Sequence, residues 1–271
     1  MIYTVEGAPL YAYTGGKTFD PLKPTVVFIH GVLNDHSVWI LQSRHFANHG
    51  WNVLAIDLPG HGRSGGKAPA TVQSAAQSIV ALLDAAGVSK AILIGHSFGS
   101  LIALHAAAEH PSRVSQLVMV GTAYPMRVSP ALLENSLNAP EKAIHMVNVF
   151  SHSTLAPPPS ALGPGTWLLG GSKALMHRVL ASNPHENIFN IGFKACNQYD
   201  QGEAAMAKVT CPTLFLLGQK DQMTTPKAAQ SLIRLAQDGQ VVQVNAGHQL
   251  MVEAPEEALK AMLLFCKNKA A

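Results

Sequence analysis

Short apolar runs punctuate the first half of the chain, each too brief for a helix. TVVFIH from Thr25, WNVLAIDL from Trp51, KAILIG from Lys90 and SQLVMVG from Ser115 are rich in Val, Ile and Leu and bounded by Gly, Pro or Asp. Continuous apolarity without alternation predicts strands buried on both faces. The stretches between them carry helical spacing: 37–49, 72–86 closed by Gly87, and 98–110, which stops before Pro111. Strand and helix in alternation predict right-handed crossovers and a parallel sheet covered on both sides.

After Gly121 the rhythm breaks. From about residue 123 to residue 207 no run reads as a strand; PALLENSL, PEKAIHMVNVF, SKALMHRVL and HENIFNIGFKACNQY read as helices, joined by the Pro- and Gly-rich APPPSALGPG at 156–165. Alternation resumes with TLFLLG, the helix PKAAQSLIRLAQ, the strand QVVQV and a last helix, EEALKAMLLFCK. The chain therefore reads as an α/β core in two stretches, 1–123 and 208–271, interrupted by a helical insertion at 124–207. Met126, Met146, Phe150, Trp167, Met176, Phe189 and Phe193 make the insertion a candidate apolar wall over a cleft. Each of them taken singly is better explained by packing within the insertion.

Composition narrows the class. Of 271 residues, 48% are apolar and 13% charged, which excludes a disordered chain. A globule of this length buries roughly 70–75% of its unfolded surface, so it has no need of staples. The net charge of +3 is scattered without a Lys/Arg cluster, which argues against nucleic acid or an anionic membrane as partner. Cys196, Cys211 and Cys266 form no CxxC pair, arguing against a disulfide framework or a zinc ribbon and for a reducing compartment. The opening MIYTVEGAPLYAYTGGK lacks the charged and apolar regions of a signal peptide. The longest apolar runs fall short of the about 20 residues of a membrane span. These features predict a cytoplasmic protein.

Two stretches match G-x-S-x-G. In GHSFG, at 95–99, Ser97 follows the strand KAILI and opens the helix FGSLIALHAAAEH. That strand–turn–helix context exposes a serine hydroxyl at the carboxyl edge of a sheet. In GRSGG, at 62–66, Pro69 forbids an immediate helix, and the match fails. A serine needs a base, and the base an orienting acid. Asp221 lies just beyond TLFLLG and His248 just beyond QVVQV. Parallel strands put their carboxyl ends on one side, so the three side chains are expected to converge. An Asp in such a loop also serves as a turn former, and most of the thirteen histidines are expected to be structural or solvated. The oxyanion formed on attack needs donors, and the backbone N–H groups of Phe98 and of Val32, in HGVLNDHSVW, are the candidates. His30 reads as a structural hydrogen-bonding residue and not as a base.

The set His30–Gly31, DLPGHGRS, GHSFG, GQKD and AGH resembles the α/β-hydrolase superfamily, nearest its capped esterase, haloperoxidase-like and C–C hydrolase group. The resemblance implies a mostly parallel sheet of about eight strands with helices on both faces and a helical cap at the insertion. It also implies a catalytic triad of Ser97, Asp221 and His248, an oxyanion hole at Val32 and Phe98, and no cofactor or metal. Asp57 would anchor the DLPGHGRS loop. Serine at the nucleophile position disfavours the epoxide hydrolases and haloalkane dehalogenases, whose nucleophile is a carboxylate. QLMVEAP after His248 lacks the tryptophan that many meta-cleavage C–C hydrolases carry there, and Ser100 stands where many relatives have a second glycine. GHGRSG matches a dinucleotide fingerprint with Asp84 at the expected distance, but no helix opens on its glycines. His145, His152, His177 and His185 lack metal-ligand spacing with a carboxylate.

The expected function is a serine hydrolase cleaving a carboxylic ester of a small to medium, largely apolar acyl group through an acyl-enzyme. The substrate would be a small molecule, and the protein a monomer or homodimer. Alternatives are a meta-cleavage C–C hydrolase, an acyltransferase or perhydrolase, and a ligand-binding receptor-like protein with slow turnover.

Overall fold

The computed structural model describes residues 1–20, 22–153 and 167–268, so the APPPSALGPG stretch lies outside the described residues. Eight strands form one sheet: β1 (Ile2–Val5), β2 (Ala8–Tyr13), β3 (Thr25–Ile29), β4 (Asn52–Ile56), β5 (Ala91–His96), β6 (Val114–Val120), β7 (Thr213–Gly218) and β8 (Gly239–Val244). Their spatial order is β1-β2-β4-β3-β5-β6-β7-β8. From β4 to β8 every pairing is parallel; β1 and β2 join antiparallel at one edge. The sheet of about eight strands, mostly parallel, is as expected.

The hairpin β1–β2 went unread in the sequence for a physical reason. A search for continuous apolar runs finds strands covered on both faces, as β3, β4, β5 and β7 are at every residue. β1 is the edge strand and β2 lies between it and β4; each has only one covered face, and Pro9 interrupts the pattern of β2. Glu6 and Gly7, both at positive φ, make the turn.

Helices cover both faces. They are α1 (Ile40–Asn48), α2 (Val72–Ala85), α3 (Phe98–Glu109), α4 (Pro130–Asn138), α5 (Pro140–Ser151), α6 (Leu168–Ala181), α7 (Ile188–Gln198), α8 (Gly202–Lys208), α9 (Gln230–Leu235), α10 (Leu250–Glu253) and α11 (Pro255–Asn268). Alternate residues of the central strands feed two cores. Val27, Ile29, Leu54, Ile56, Leu93 and Leu117 pack with α2 and α3. Val26, Phe28, Val53, Ile92, Ile94 and Val118 pack with Trp39, Phe46 of α1 and Met262 of α11. Both faces are therefore dry, which is why these strands read as unbroken hydrophobic runs.

Helices α4 to α8 all lie between β6 and β7, and among the described residues from 121 to 212 no strand occurs. Pro130 and Pro140 occupy first turns, where their missing N–H costs nothing, and Ser129 and Asn187 cap α4 and α7. α4 to α7 bury a third cluster, built on Leu132, Ile144, Met176, Val179, Ile188, Phe189 and Phe193 and reaching Leu33 of the β3–α1 loop. The helix α8, unread in the sequence, packs instead on α3 beneath the sheet.

Candidate active site

β5 runs straight into α3 through a single residue, Ser97, whose φ of 54° and ψ of −118° are strained for a side chain with a Cβ. The turn closes only because its neighbours are small. A Cβ on Gly95 would run into the backbone of Gly99, and one on Gly99 into the carbonyl of Ile29. Ser97 N donates to Val120 O at 2.9 Å, and the Ser100 hydroxyl lies 2.5 Å from Ser97 O and 2.8 Å from Thr122 Oγ1. Ser100 thus fastens the elbow from within α3.

Asp221 follows β7, and its carboxylate is buried. Oδ1 accepts the N–H groups of Met223 and Thr224, each at 2.8 Å; Oδ2 accepts the Thr224 hydroxyl and His248 Nδ1, again at 2.8 Å. Burial alone would raise the Asp221 carboxyl, but the neighbouring His248 and the Thr224 N–H and hydroxyl outweigh it and hold the group below the usual carboxylate range. His248 is fixed through its backbone as well: its N–H donates to Ser151 O at the end of α5, and its carbonyl accepts His96 Nε2 at 2.9 Å. Burial, then the charge of His248, drive the His96 imidazole down to about 3, so it sits neutral with Nε2 protonated.

Ser97 and His248 line one small cavity, of about 20 Å³, together with Gly31, Val32 and His96. With Nδ1 turned to Asp221, His248 keeps Nε2 for that cavity. A larger cavity of about 260 Å³ opens from Ser97 and Val32 between the sheet edge and the helical insertion. Met126, Leu132, Met146, Phe150, Phe193 and Met223 give it apolar walls, with Arg127, Ser129 and Gln222 also on its lining. Phe98 opens α3, so its N–H is among those no intrahelical carbonyl takes; the Val32 N–H donates to no group among the described residues.

The α/β-hydrolase fold family matches residues 24–152, just under half of the chain. The chain is 38% identical over 108 residues to lipase LipV of Mycobacterium tuberculosis, covering 40% of this chain and 41% of that protein. It is 25% identical over 234 residues to protein ABHD8 of Bos taurus, covering 84% of this chain and 52% of that one. The chain thus spans about half or less of the length of these curated relatives. The structure superposes on an esterase of Exiguobacterium antarcticum with a TM-score of 0.83 at 19% identity, covering 98% of each chain. The chain has the α/β-hydrolase fold.

On this α/β-hydrolase scaffold the sequence-derived residues fall as follows. Ser97, Asp221 and His248 stand at the carboxyl ends of β5, β7 and β8, with Val32 and Phe98 beside Ser97. The second G-x-S-x-G serine, Ser64, is tied into a loop, donating to Asp57 O and accepting Tyr11 N. His30 bonds Gly31 O and accepts Leu58 N, a structural part. Asp57 accepts the backbone N–H and ring Nδ1 of His36 and the backbone N–H of Arg63, pinning its loop. Asp84 lies in α2 and pairs with Arg113.

Of the apolar residues expected at the cleft, Met126, Met146, Phe150 and Phe193 line the larger cavity. Trp167 is instead 70% exposed beside a separate groove, and Met176 and Phe189 sit in the insertion's own core. The donor atoms of Asp35, His36 and Asp57 cluster within 4.8 Å. Each carboxylate oxygen there already accepts a bond from Ser37, Arg178, His36 or Arg63, so the cluster works as a hydrogen-bonded brace. All three cysteines are free, and no helix among the described residues is long and apolar enough to cross a membrane.

The sequence reading missed two contributors. Thr224, in DQMTTP, touches both Asp221 and His248. Its only signal was a hydroxyl three residues after an Asp in a turn. Arg178 of α6 reaches Asp35 Oδ2 at 2.7 Å and Ser37 Oγ at 3.0 Å, tying the insertion to the loop that carries Val32. No spacing in the sequence announces it.

Proposed function

We propose that this chain is a serine hydrolase cleaving carboxylic esters of a small to medium, largely apolar acyl group. The observation that carries the reading is the joint lining of one cavity by Ser97, Val32 and His248, with the far nitrogen of His248 bonded to a buried Asp221. His248 takes the Ser97 proton as the oxygen attacks the carbonyl, and Asp221 steadies the ring and its cation. The Val32 and Phe98 amides receive the oxyanion, and as it collapses to the acyl-enzyme His248 gives its proton to the departing alcohol. The neutral ring then takes a proton from water, whose attack on the acyl-enzyme releases the acid and returns the proton to Ser97. Helices of 124–207 act as a cap, and the apolar cavity beneath them takes the acyl chain. The lipase and esterase names of similar proteins support an ester as substrate.

A panel of chromogenic esters of graded chain length, run beside Ser97→Ala, tests this. Ser97→Ala should lower kcat by several orders of magnitude, up to about 10⁶-fold as for other triad serines. Short and medium acyl esters should be preferred over long ones, since about 260 Å³ is a modest volume. A Ser97→Ala protein that kept most of its rate would end the proposal.

A further inference from the structure

We infer that Thr224 is a positioning residue of the active site: its hydroxyl bridges Asp221 and His248 and gives the His248 Nδ1–H a second oxygen acceptor when the ring takes up a proton. This rests on the ester-hydrolase reading above and deepens it.

Three atoms form a closed triangle. Thr224 Oγ1 lies 2.8 Å from Asp221 Oδ2 and 3.0 Å from His248 Nδ1, and those two lie 2.8 Å apart. All three residues are buried. A carboxylate only accepts, so the single hydroxyl proton points to Oδ2 and an oxygen lone pair faces Nδ1. The Nδ1–H is then shared between two oxygens. The same residue also donates its backbone N–H to Oδ1, so Thr224 holds both carboxylate oxygens and fixes their plane against the ring. Thr224 lines the larger cavity as well, at the boundary between acid and substrate space. In a dry site a dipole placed in this way favours the cation that forms during attack.

Other titratable groups near His248 act elsewhere. His96, from the end of β5, lies tilted at 4.6 Å between ring centroids and bonds the His248 carbonyl. His152 follows α5, whose Ser151 carbonyl holds the His248 N–H. Glu253 of α10 accepts Gly247 N, and His30 lies beyond His96. The Nδ1 contacts are Asp221 and Thr224.

The test compares Thr224→Val, which keeps the shape and deletes the hydroxyl, with Thr224→Ser, which restores it. Deleting the hydroxyl takes an acceptor from Nδ1 and a donor from Asp221 Oδ2, so the acidic limb of the kcat/KM profile should move. Loss of a hydrogen bond to a charged group should lower kcat about tenfold, with KM little changed. Thr224→Ser should recover both. Should Thr224→Val fail to fold, Thr224→Ala deletes the same hydroxyl and reads the same limb. Titration of the His248 ring by NMR in a Ser97→Ala background gives the shift without turnover. A rate loss with an unmoved limb and an unmoved ring titration would overturn the inference, as would wild-type kcat in Thr224→Val. If Ser97→Ala itself keeps its rate, the ester-hydrolase reading falls, and the ring titration alone still judges Thr224.

Discussion

A serine at positive φ costs about 1–3 kcal/mol and persists only where its surroundings hold it. Here the hold is visible: Val120 takes the Ser97 N–H, Ser100 grips its carbonyl, and Gly31, Gly95 and Gly99 leave room on every side. Two of those glycines fail differently. Gly95 meets α3 backbone, which cannot yield without parting strand from helix, so Gly95→Ala should lose about 1–3 kcal/mol or more in urea unfolding, along with activity. Gly31 has no positive φ, and an added Cβ would lie 3.1 Å from Ser97 Cβ and 3.2 Å from His96 Nδ1. Gly31→Ala should therefore fold with near-normal stability while nudging Ser97 and costing about tenfold or more in kcat. Equal stability losses in the two variants would contradict this account. GHSFG was legible because steric demand at that turn dictates residue type. Thr224 was not, since a threonine fits most loops and only the folded chain shows what its hydroxyl touches.

At the scale of elements, the helical insertion does more than cover the sheet edge. α6 reaches the β3–α1 loop through Arg178 and Asp35, and α7 offers Gly192, where a Cβ would lie 3.1 Å from the methyl groups of Val32. α5 ends with Ser151 O accepting the N–H groups of His248 and Gln249. Both the loop of Val32 and the loop of His248 thus rest on inserted helices. Asp35 is buried, which alone would raise its carboxyl, but the Ser37 hydroxyl and Arg178 hold it below the usual range. Arg178 is itself 61% exposed on its side chain, so its ion pair contributes at most about 1 kcal/mol to stability. Arg178→Gln should accordingly leave the unfolding midpoint nearly unchanged while lowering kcat several-fold, because Val32 loses one support. A variant with normal kcat would separate the insertion from the chemistry. The core strands were legible because burial on both faces leaves unbroken Val/Ile/Leu runs. The inner wall of the insertion was not: helix phase against a partner is set by tertiary packing, which put Phe193 at the cavity and Phe189, four residues earlier on α7, in the insertion's own core.

For the molecule as a whole, gathering the site at one sheet edge buries imidazoles that cannot be protonated there. Burial drives His96 to about 3; burial and the nearby His30 drive His61 to about 4; burial also lowers His30. In the unfolded chain these rings titrate near 6.5. Above that pH neither state carries the proton, and the full stability is present. As pH falls below it, the unfolded chain binds protons that the folded chain refuses, so stability declines until the folded values are reached. His96 and His61 each contribute a slope of up to about 1.4 kcal/mol per pH unit across that window, and His30 adds in the same direction. The carboxylates of Asp35, Asp57 and Asp221 are held low, so their contribution persists above about 3.8 and is lost only beneath it. Acid loss should therefore begin with the histidines, between pH 6.5 and 4, well before the carboxylates titrate. Urea unfolding at pH 7, 6 and 5 should show a steady fall in stability. His61→Gln, placed where its amide can donate to Pro59 O as the ring does, should remove one ring's share of the slope and leave the other two. Stability that stayed level from pH 7 to pH 5 would mean that these rings accept protons in the folded chain, and that the sheet edge is wetter than its packing implies.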